Sequence, residues 1–336
     1  MDIDKPTVIF YGHLEGALNG AKKITRQVLD ILEKNYKVKI APYPHNFKVL
    51  HSLDFLLKFI KVLILQVKLW NAKNITYYLT GSANSIGFIK DLYIILTINI
   101  FCNGNRRIVH FHTDTSKLNR FLKPIYYWVY KDWIHIYLGE ELKVQNKIAK
   151  QIIIKNPISE KILPPIKQAV KSRKIKIGFF AELNQSKGYF DFVEIIKKLD
   201  TNNFEIYSAG KGNSIKMKGY LHRGFLTTNK EKTEYLNNLD LLIYPSYWDA
   251  QPLAILEASL LNVVVLAYDV GTIKSMVPIK TNIVEKGSKR KILDLINLYA
   301  RDKNLLSKHK TLYRDFVLKN FSHEEFERKI IQCFKD

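Results

Sequence analysis

The sequence predicts an α/β protein made of two tandem, doubly wound parallel-sheet domains. Three observations carry that reading. Short β-branched runs alternate with stretches of helical periodicity, which is the rhythm of βαβ units. The alternation starts afresh after a proline-containing basic segment. Finally, 336 residues are about twice the ~150 residues of one ordinary domain.

In the first half the strand candidates are PTVIFYG, YKVKIAPY, NITYYLT, RRIVHFH, WIHIYLG and QIIIKN, with a helix over ALNGAKKITRQVLDILEKN between the first two. Each run ends in turn residues or passes into helical pattern. Residues 157–173 hold three of the ten prolines and end in a basic cluster, so they read as an interdomain connection. The second series runs KIKIGFFAE, a helix near KGYFDFVEIIKKL, FEIYSAGKG, a helix near NKEKTEYLNNL, LDLLIYPS, a helix near PLAILEASLLN, and VVVLAYDVG. The expected domains are 1–156 and 174–319, with a helix over about 320–336 packing back on the first.

A composition of 47% hydrophobic and 25% charged residues is that of a folded globular chain, and argues against disorder. Cys102 and Cys333 lie far apart, outside any CxxC or Cys/His cluster, which speaks against a disulfide framework or a zinc site and for a reducing, cytoplasmic setting. The N-terminus lacks the basic and apolar regions of a signal peptide. Lys58, Lys61 and Lys68 interrupt the most apolar region, so no spanning helix is expected. The formal charge of +22 predicts attraction to something acidic: nucleic acid, anionic lipid or phosphorylated substrates. Residues 1–150 carry 22 Lys and Arg against 11 Asp and Glu, and the remainder 31 against 20, so the excess is not confined to a tail.

Ligands of doubly wound sheets bind beyond the carboxyl ends of the strands, and five such places hold suggestive residues. In Asp240–Ile273 a buried strand leads into a helix that begins near Pro252, a residue suited to the first helical position. The N–H groups of Leu253 and Ala254, with the positive end of the helix dipole, favour an anion there. In GFFAELNQSKGYFDF, Lys187 precedes Gly188 in a loop after a strand. In YGHLEGALNGAKKIT, Gly12, Gly16 and Gly20 let backbone approach a ligand, or simply make a turn. His110 and His112 point to one side of their strand, the second at its carboxyl edge, where a structural role is the plainer alternative. SAGKG, 208–212, is a strand-to-loop turn.

Together these stretches resemble glycosyltransferase family 4, the glycosyl transferases group 1, over nearly the whole chain and most strongly from Lys174 to Pro278. The resemblance implies the GT-B arrangement, two Rossmann-like domains facing a central cleft, the second holding the donor and the first the acceptor. It implies retaining transfer from a nucleotide sugar to a glycan or lipid-linked glycan, with no cofactor and no metal. The family's two carboxylates eight positions apart fall on Asp249 and Glu257: the first contacts the donor sugar, the second the ribose hydroxyls, while the amides of Leu253 and Ala254 face the diphosphate. Lys187 is placed over the diphosphate, His112 at the donor sugar, Gly16 near the phosphates and Gly210 near the nucleotide base. Asn156 and Pro157 match the architectural end of the family's first domain. Two departures stand out: Asp249 replaces the usual glutamate, and Glu182 sits where many relatives carry an arginine.

Residues 51–70 and 117–133 mix aromatic and aliphatic residues with Lys and Arg. Such segments either lie on an anionic bilayer or pack against the sheet with their basic residues in water. A lipid-linked acceptor would make peripheral attachment to the inner face of a cell membrane useful. Lysine and isoleucine richness suggests an AT-rich microbial genome, hence surface polysaccharide or glycolipid synthesis. The competing readings are a nucleotide-sugar epimerase of the same fold and a non-catalytic nucleic-acid- or anion-binding protein, the latter disfavoured by the spread of basic residues and the lack of a recognised binding module.

Overall fold

The computed structural model describes residues 6–14, 20–43, 53–70, 72–82, 84–101, 104–114, 119–143, 150–158 and 174–335. The chain divides into a first unit, residues 1–155 with 324–336, and a second, residues 156–323. The expected connection falls almost wholly on 159–173, outside the described residues.

The first unit runs β1 (Thr7–Tyr11), α1 (Gly20–Asn35), β2 (Lys37–Ile40), α2 (Leu53–Lys68), β3 (Ile75–Gly81), α3 (Ser85–Phe101), β4 (Arg106–Phe111), α4 (Lys123–Val129), β5 (Ile134–Tyr137) and β6 (Gln151–Ile153). All pairings are parallel, in the order β2-β1-β3-β4-β5-β6. Parallel strands covered on both faces read as continuous apolar runs, and Val8, Ile9, Phe10 and Tyr11 are fully buried. The order turns back between β1 and β3, so right-handed crossovers put α1 on one face of the sheet and α2, α3 and α4 on the other. Ring contacts tie the latter layer together: Phe59 of α2 meets Tyr93 of α3 at 4.4 Å, and Trp70 meets Phe101 at 5.5 Å. Residues 324–336 close this unit, with Phe334 against Tyr36 (5.5 Å) and Tyr78 (6.1 Å).

The second unit runs β7 (Ile175–Phe180), α5 (Tyr189–Ile196), β8 (Phe204–Ala209), β9 (Tyr220–His222), α6 (Asn229–Asn237), β10 (Leu241–Tyr244), α7 (Leu253–Leu260), β11 (Val264–Tyr268), α8 (Ile273–Met276), β12 (Ile283–Val284), α9 (Lys289–Arg301) and α10 (Lys303–Asn320); α11 (His323–Lys335) follows. Its sheet is again parallel, in the order β12-β11-β10-β7-β8-β9. The core is sealed: β10 and β11 are buried along their whole length, and Ile255, Leu256 and Ala258 of α7 are fully enclosed beside them. α6 begins with a capping box, Thr228 Oγ1 accepting from Glu231 N while the Glu231 carboxylate accepts from Thr228 N, an arrangement that satisfies donors a helix start leaves open. The two doubly wound α/β sheets predicted from sequence are therefore present, one in each unit. Among the described residues no helix is long and apolar enough to cross a membrane.

Candidate functional site

In the second unit the winding reverses between β7 and β10, and the crevice outside their carboxyl ends is where such sheets bind ligands. The loops leaving those two strands meet there. After β7, the Asn184 side chain caps a 3-10 turn, Gln185–Lys187, by accepting from Lys187 N at 3.0 Å. Gly188 then passes into α5 with φ +73°, and a Cβ at that position would stand 1.7 Å from Pro245 O. Only glycine meets both demands, left-handed backbone and contact with the loop after β10. Tyr247 N donates to Ser186 O at 3.0 Å, stitching the two loops a second time.

This stitching sets the charged pair. Lys187 Nζ lies 2.7 Å from Asp249 Oδ1 and donates at 3.4 Å to Trp248 O. Tyr244 and Ser246 each donate to Asp249 Oδ2 at 2.8 Å. Burial and then the Asp249 charge hold the Tyr244 hydroxyl far above the ordinary phenol range, so it stays a donor. Three donors thus fix Asp249 as an oriented carboxylate. Four residues on, α7 starts with no side-chain cap, and Pro252 stands at the cap position rather than first in the helix. The first-turn N–H groups, those of Leu253 and Ala254, have no preceding helical carbonyl to bond and point with the positive end of the dipole. Glu257 follows one turn later, 7% exposed among the buried Leu256 and Ala258. Gly210, just past β8, has φ +149° and sits where a Cβ would come 1.8 Å from Ala181 O, at the root of the Lys187 loop.

Residues 174–301 match the family described as Glycosyl transferases group 1. The matched residues make up most of the second unit. The chain is also 22% identical over 173 residues, 49% of its length and 48% of the relative's, to an uncharacterized 41.2 kDa protein in the cps region of Klebsiella pneumoniae. It is 30% identical over 101 residues to TuaC of Bacillus subtilis (strain 168), named for teichuronic acid biosynthesis, covering 29% of this chain and 25% of that one. The matches therefore span about half, or less, of the curated relatives' length. In fold, Anabaena HepE in complex with UDP-glucose superposes with TM-score 0.70 at 12% identity, covering 97% of this chain and 98% of that one. The fold is GT-B.

The second unit holds Lys187, Asp249, Leu253, Ala254, Glu257 and Gly210; the structure joins Lys187 directly to Asp249 and places α7 immediately after them. His112 belongs to the first unit, and Gly16 lies outside the described residues. His112 follows β4, is 8% exposed, and its Nε2 lies 3.5 Å from Thr25 Oγ1. Its ring is 4.1 Å from that of His110, which shares Nδ1 with the Tyr78 hydroxyl at 2.8 Å. Burial lowers the His112 pKa to about 4, so the ring is neutral near pH 7.

Sequence reasoning missed several side chains. Tyr244 and Ser246 orient Asp249; they stand in the very stretch, LIYPS, that flanks it, but no pattern marks a tyrosine as a carboxylate partner. Gln251 Oε1 accepts from Asn156 N at 2.7 Å, so the Asn-Pro pair is tied to the loop before α7. In the first unit, a buried group gathers where the winding reverses between β1 and β3: Tyr43 OH donates to Asp91 Oδ1 at 2.8 Å, Ser82 N to Asp91 Oδ2 at 2.7 Å, and Lys90 Nζ lies 3.3 Å from His13 Nε2 and 3.5 Å from Asp91. Burial pushes the Lys90 pKa down and that of Asp91 up. Lys90 and Asp91 look in sequence like ordinary polar residues of a helix.

Proposed function

We propose that the chain is a retaining, metal-independent glycosyltransferase that moves a sugar from a nucleotide-sugar donor to a glycan or lipid-linked glycan, in microbial surface polysaccharide or glycolipid synthesis. The observation that carries the reading is the Lys187–Asp249 pair at the uncapped start of α7, inside the crevice between β7 and β10. As the donor's C1–O bond breaks, negative charge grows on the departing diphosphate and positive charge on the sugar ring. The ammonium of Lys187 and the amides of Leu253 and Ala254 neutralise the first, and interactions that strengthen as the bond breaks lower the barrier. Asp249, held by Tyr244 and Ser246, keeps the lysine in place and offers its carboxylate to the sugar. Glu257 takes the ribose hydroxyls, Gly210 lies by the base, and Gly16 and His112 keep the phosphate and sugar contacts that the family resemblance implies.

UDP is the donor nucleotide the reading favours, by analogy with the UDP-glucose complex of HepE. Names that mention a cps region and teichuronic acid biosynthesis support a surface-polymer setting. Work on a lipid-linked acceptor places the chain peripherally on the inner face of an anionic membrane. The test is a thermal-shift screen against UDP, GDP, ADP and CMP sugars, since a ligand that binds only the native state raises its melting temperature. We expect a shift with UDP-sugars that is lost in Glu257→Gln, together with loss of transfer. A folded Glu257→Gln variant that still binds and turns over normally overturns the site.

A further inference from the structure

Exposed apolar side chains are unevenly shared. Of the nineteen large hydrophobic residues exposed among the described residues, thirteen belong to the first unit, and twelve of these lie on α2, α3, α4 and the turns beside them. Those three helices form one layer on one face of the sheet. On α2, Leu57, Ile60, Ile64 and Val67 recur at intervals of three, four and three residues, with Leu63 beside them and Trp70, 60% exposed, just past the end. That spacing makes one continuous stripe on a helix. The opposite side, Val62, Leu65 and Gln66, is buried on the unit. Ile86 and Ile89 continue the apolar surface at the start of α3. Asn119 N donates to Ser85 Oγ, which brings the approach to α4 alongside, with Phe121 (72% exposed), Ile125 and Trp128 (63% exposed) at intervals of four and three.

Basic residues border this surface. Lys61 and Lys68 project along one edge of the α2 stripe, and Lys73, Arg120 and Lys131 are exposed nearby. Between Phe55 and Lys131 the sequence has eleven Lys and Arg but only two acidic residues, of which Asp91 is fully buried. We propose that this α2–α4 face docks on an anionic lipid bilayer, the apolar stripe entering the headgroup boundary and the lysines meeting lipid phosphates. Two aromatic indoles suit that depth, where an apolar ring meets a wet edge. A second copy is the wrong occupant, because self-association would bring together two basic borders on chains of charge +22. The inference names the partner surface for the lipid-linked acceptor and in that respect rests on the proposed activity, but its chemistry does not depend on it.

Sedimentation of the whole protein with vesicles of phosphatidylcholine alone, or of phosphatidylglycerol and phosphatidylcholine in equal parts, tests it. The expected result is binding to the anionic vesicles only, weakened by salt. Neutralising a lysine near the surface costs about fivefold, so Lys61→Gln with Lys68→Gln should weaken binding about 25-fold. Ile60→Gln with Ile64→Gln should weaken it at least tenfold, and Leu312→Gln with Leu318→Gln, exposed apolar residues of the other unit, should not. Equal binding by the Ile60/Ile64 variant, or a wild-type dimer that this variant dissolves in sedimentation velocity, overturns the docking face. The same variants should keep the nucleotide-sugar thermal shift. Loss of vesicle binding with that shift intact supports the face, and absence of any shift in the wild type counts against the activity alone.

Discussion

The two units share a parallel sheet with helices on both faces, yet they differ in where their exposed apolar residues gather. The second unit holds only six of the nineteen exposed large hydrophobics among the described residues, scattered over several elements, and fixes its loops by close packing and side-chain bonds: Gly188 against Pro245, Gly210 against Ala181, and Asp249 held by the side chains of Lys187, Tyr244 and Ser246. The first unit leaves an apolar stripe outside on α2 and α4 and buries Lys90, Asp91, His110, His112 and His135. One architecture therefore carries two features: the crevice proposed for the donor in the second unit, and the exposed apolar face proposed for the bilayer in the first.

The contrast is most sharply broken at Gly188. Gly188→Ala combines an unfavourable left-handed residue, about 1–2 kcal/mol, with a collision against backbone. We expect a loss of about 4 kcal/mol or no folded protein by urea denaturation. A stable variant would show that the two loops of the second unit are loosely joined. Next comes Lys187→Ala, expected to lower turnover by a factor of about 10²–10³, measured by product formation, with the circular dichroism spectrum unchanged. A loss of less than about tenfold would remove the lysine from the mechanism.

The buried histidines make the first unit the acid-sensitive one. Burial holds His112 and His135 near pKa 4, and burial reinforced by His112 keeps His110 well below its ordinary value. Between about 4 and 6.5 the unfolded chain binds protons that these folded rings refuse. Stability is therefore intact above pH 6.5 and is lost as pH falls toward 4, by about 1.4 kcal/mol per pH unit for each such histidine. His112→Asn should flatten that slope in denaturation midpoints followed by hydrogen exchange in β4, and an unchanged slope would show that His112 opens to solvent. The smallest effect is expected at Thr228→Ala, which removes the α6 cap for about 1 kcal/mol, a loss to be read as a lowered melting temperature. A larger drop would mean that the second unit depends on its surface caps more than on its sealed core.

Much of this was legible in the chain. Continuous apolar runs in PTVIFYG and DLLIYPS reflect strands covered on both faces, and helical spacing in VLDILEKN reflects burial that repeats every 3.6 residues, so the two sheets could be read directly. Lys187, Asp249 and Glu257 were marked by the resemblance to family 4 glycosyltransferases, and the amides of Leu253 and Ala254 by a helix start after a strand. Their being partners was not legible, because 62 residues separate Lys187 from Asp249 and only the adjacency of β7 and β10 brings their loops together. For the same reason Tyr43, Ser82, Lys90 and Asp91 gave no sign of forming one cluster. The basic, aromatic segments 51–70 and 117–133 allowed two readings, since a pattern shows that a helix has an apolar side without showing what covers it. By itself, then, the sequence determined the elements, their alternation and the candidate anion site, all set by short-range periodicity and helix-end chemistry. Tertiary structure decided strand order, which side chains meet across the crevice, and which apolar stripe stays outside, because each depends on how distant segments pack.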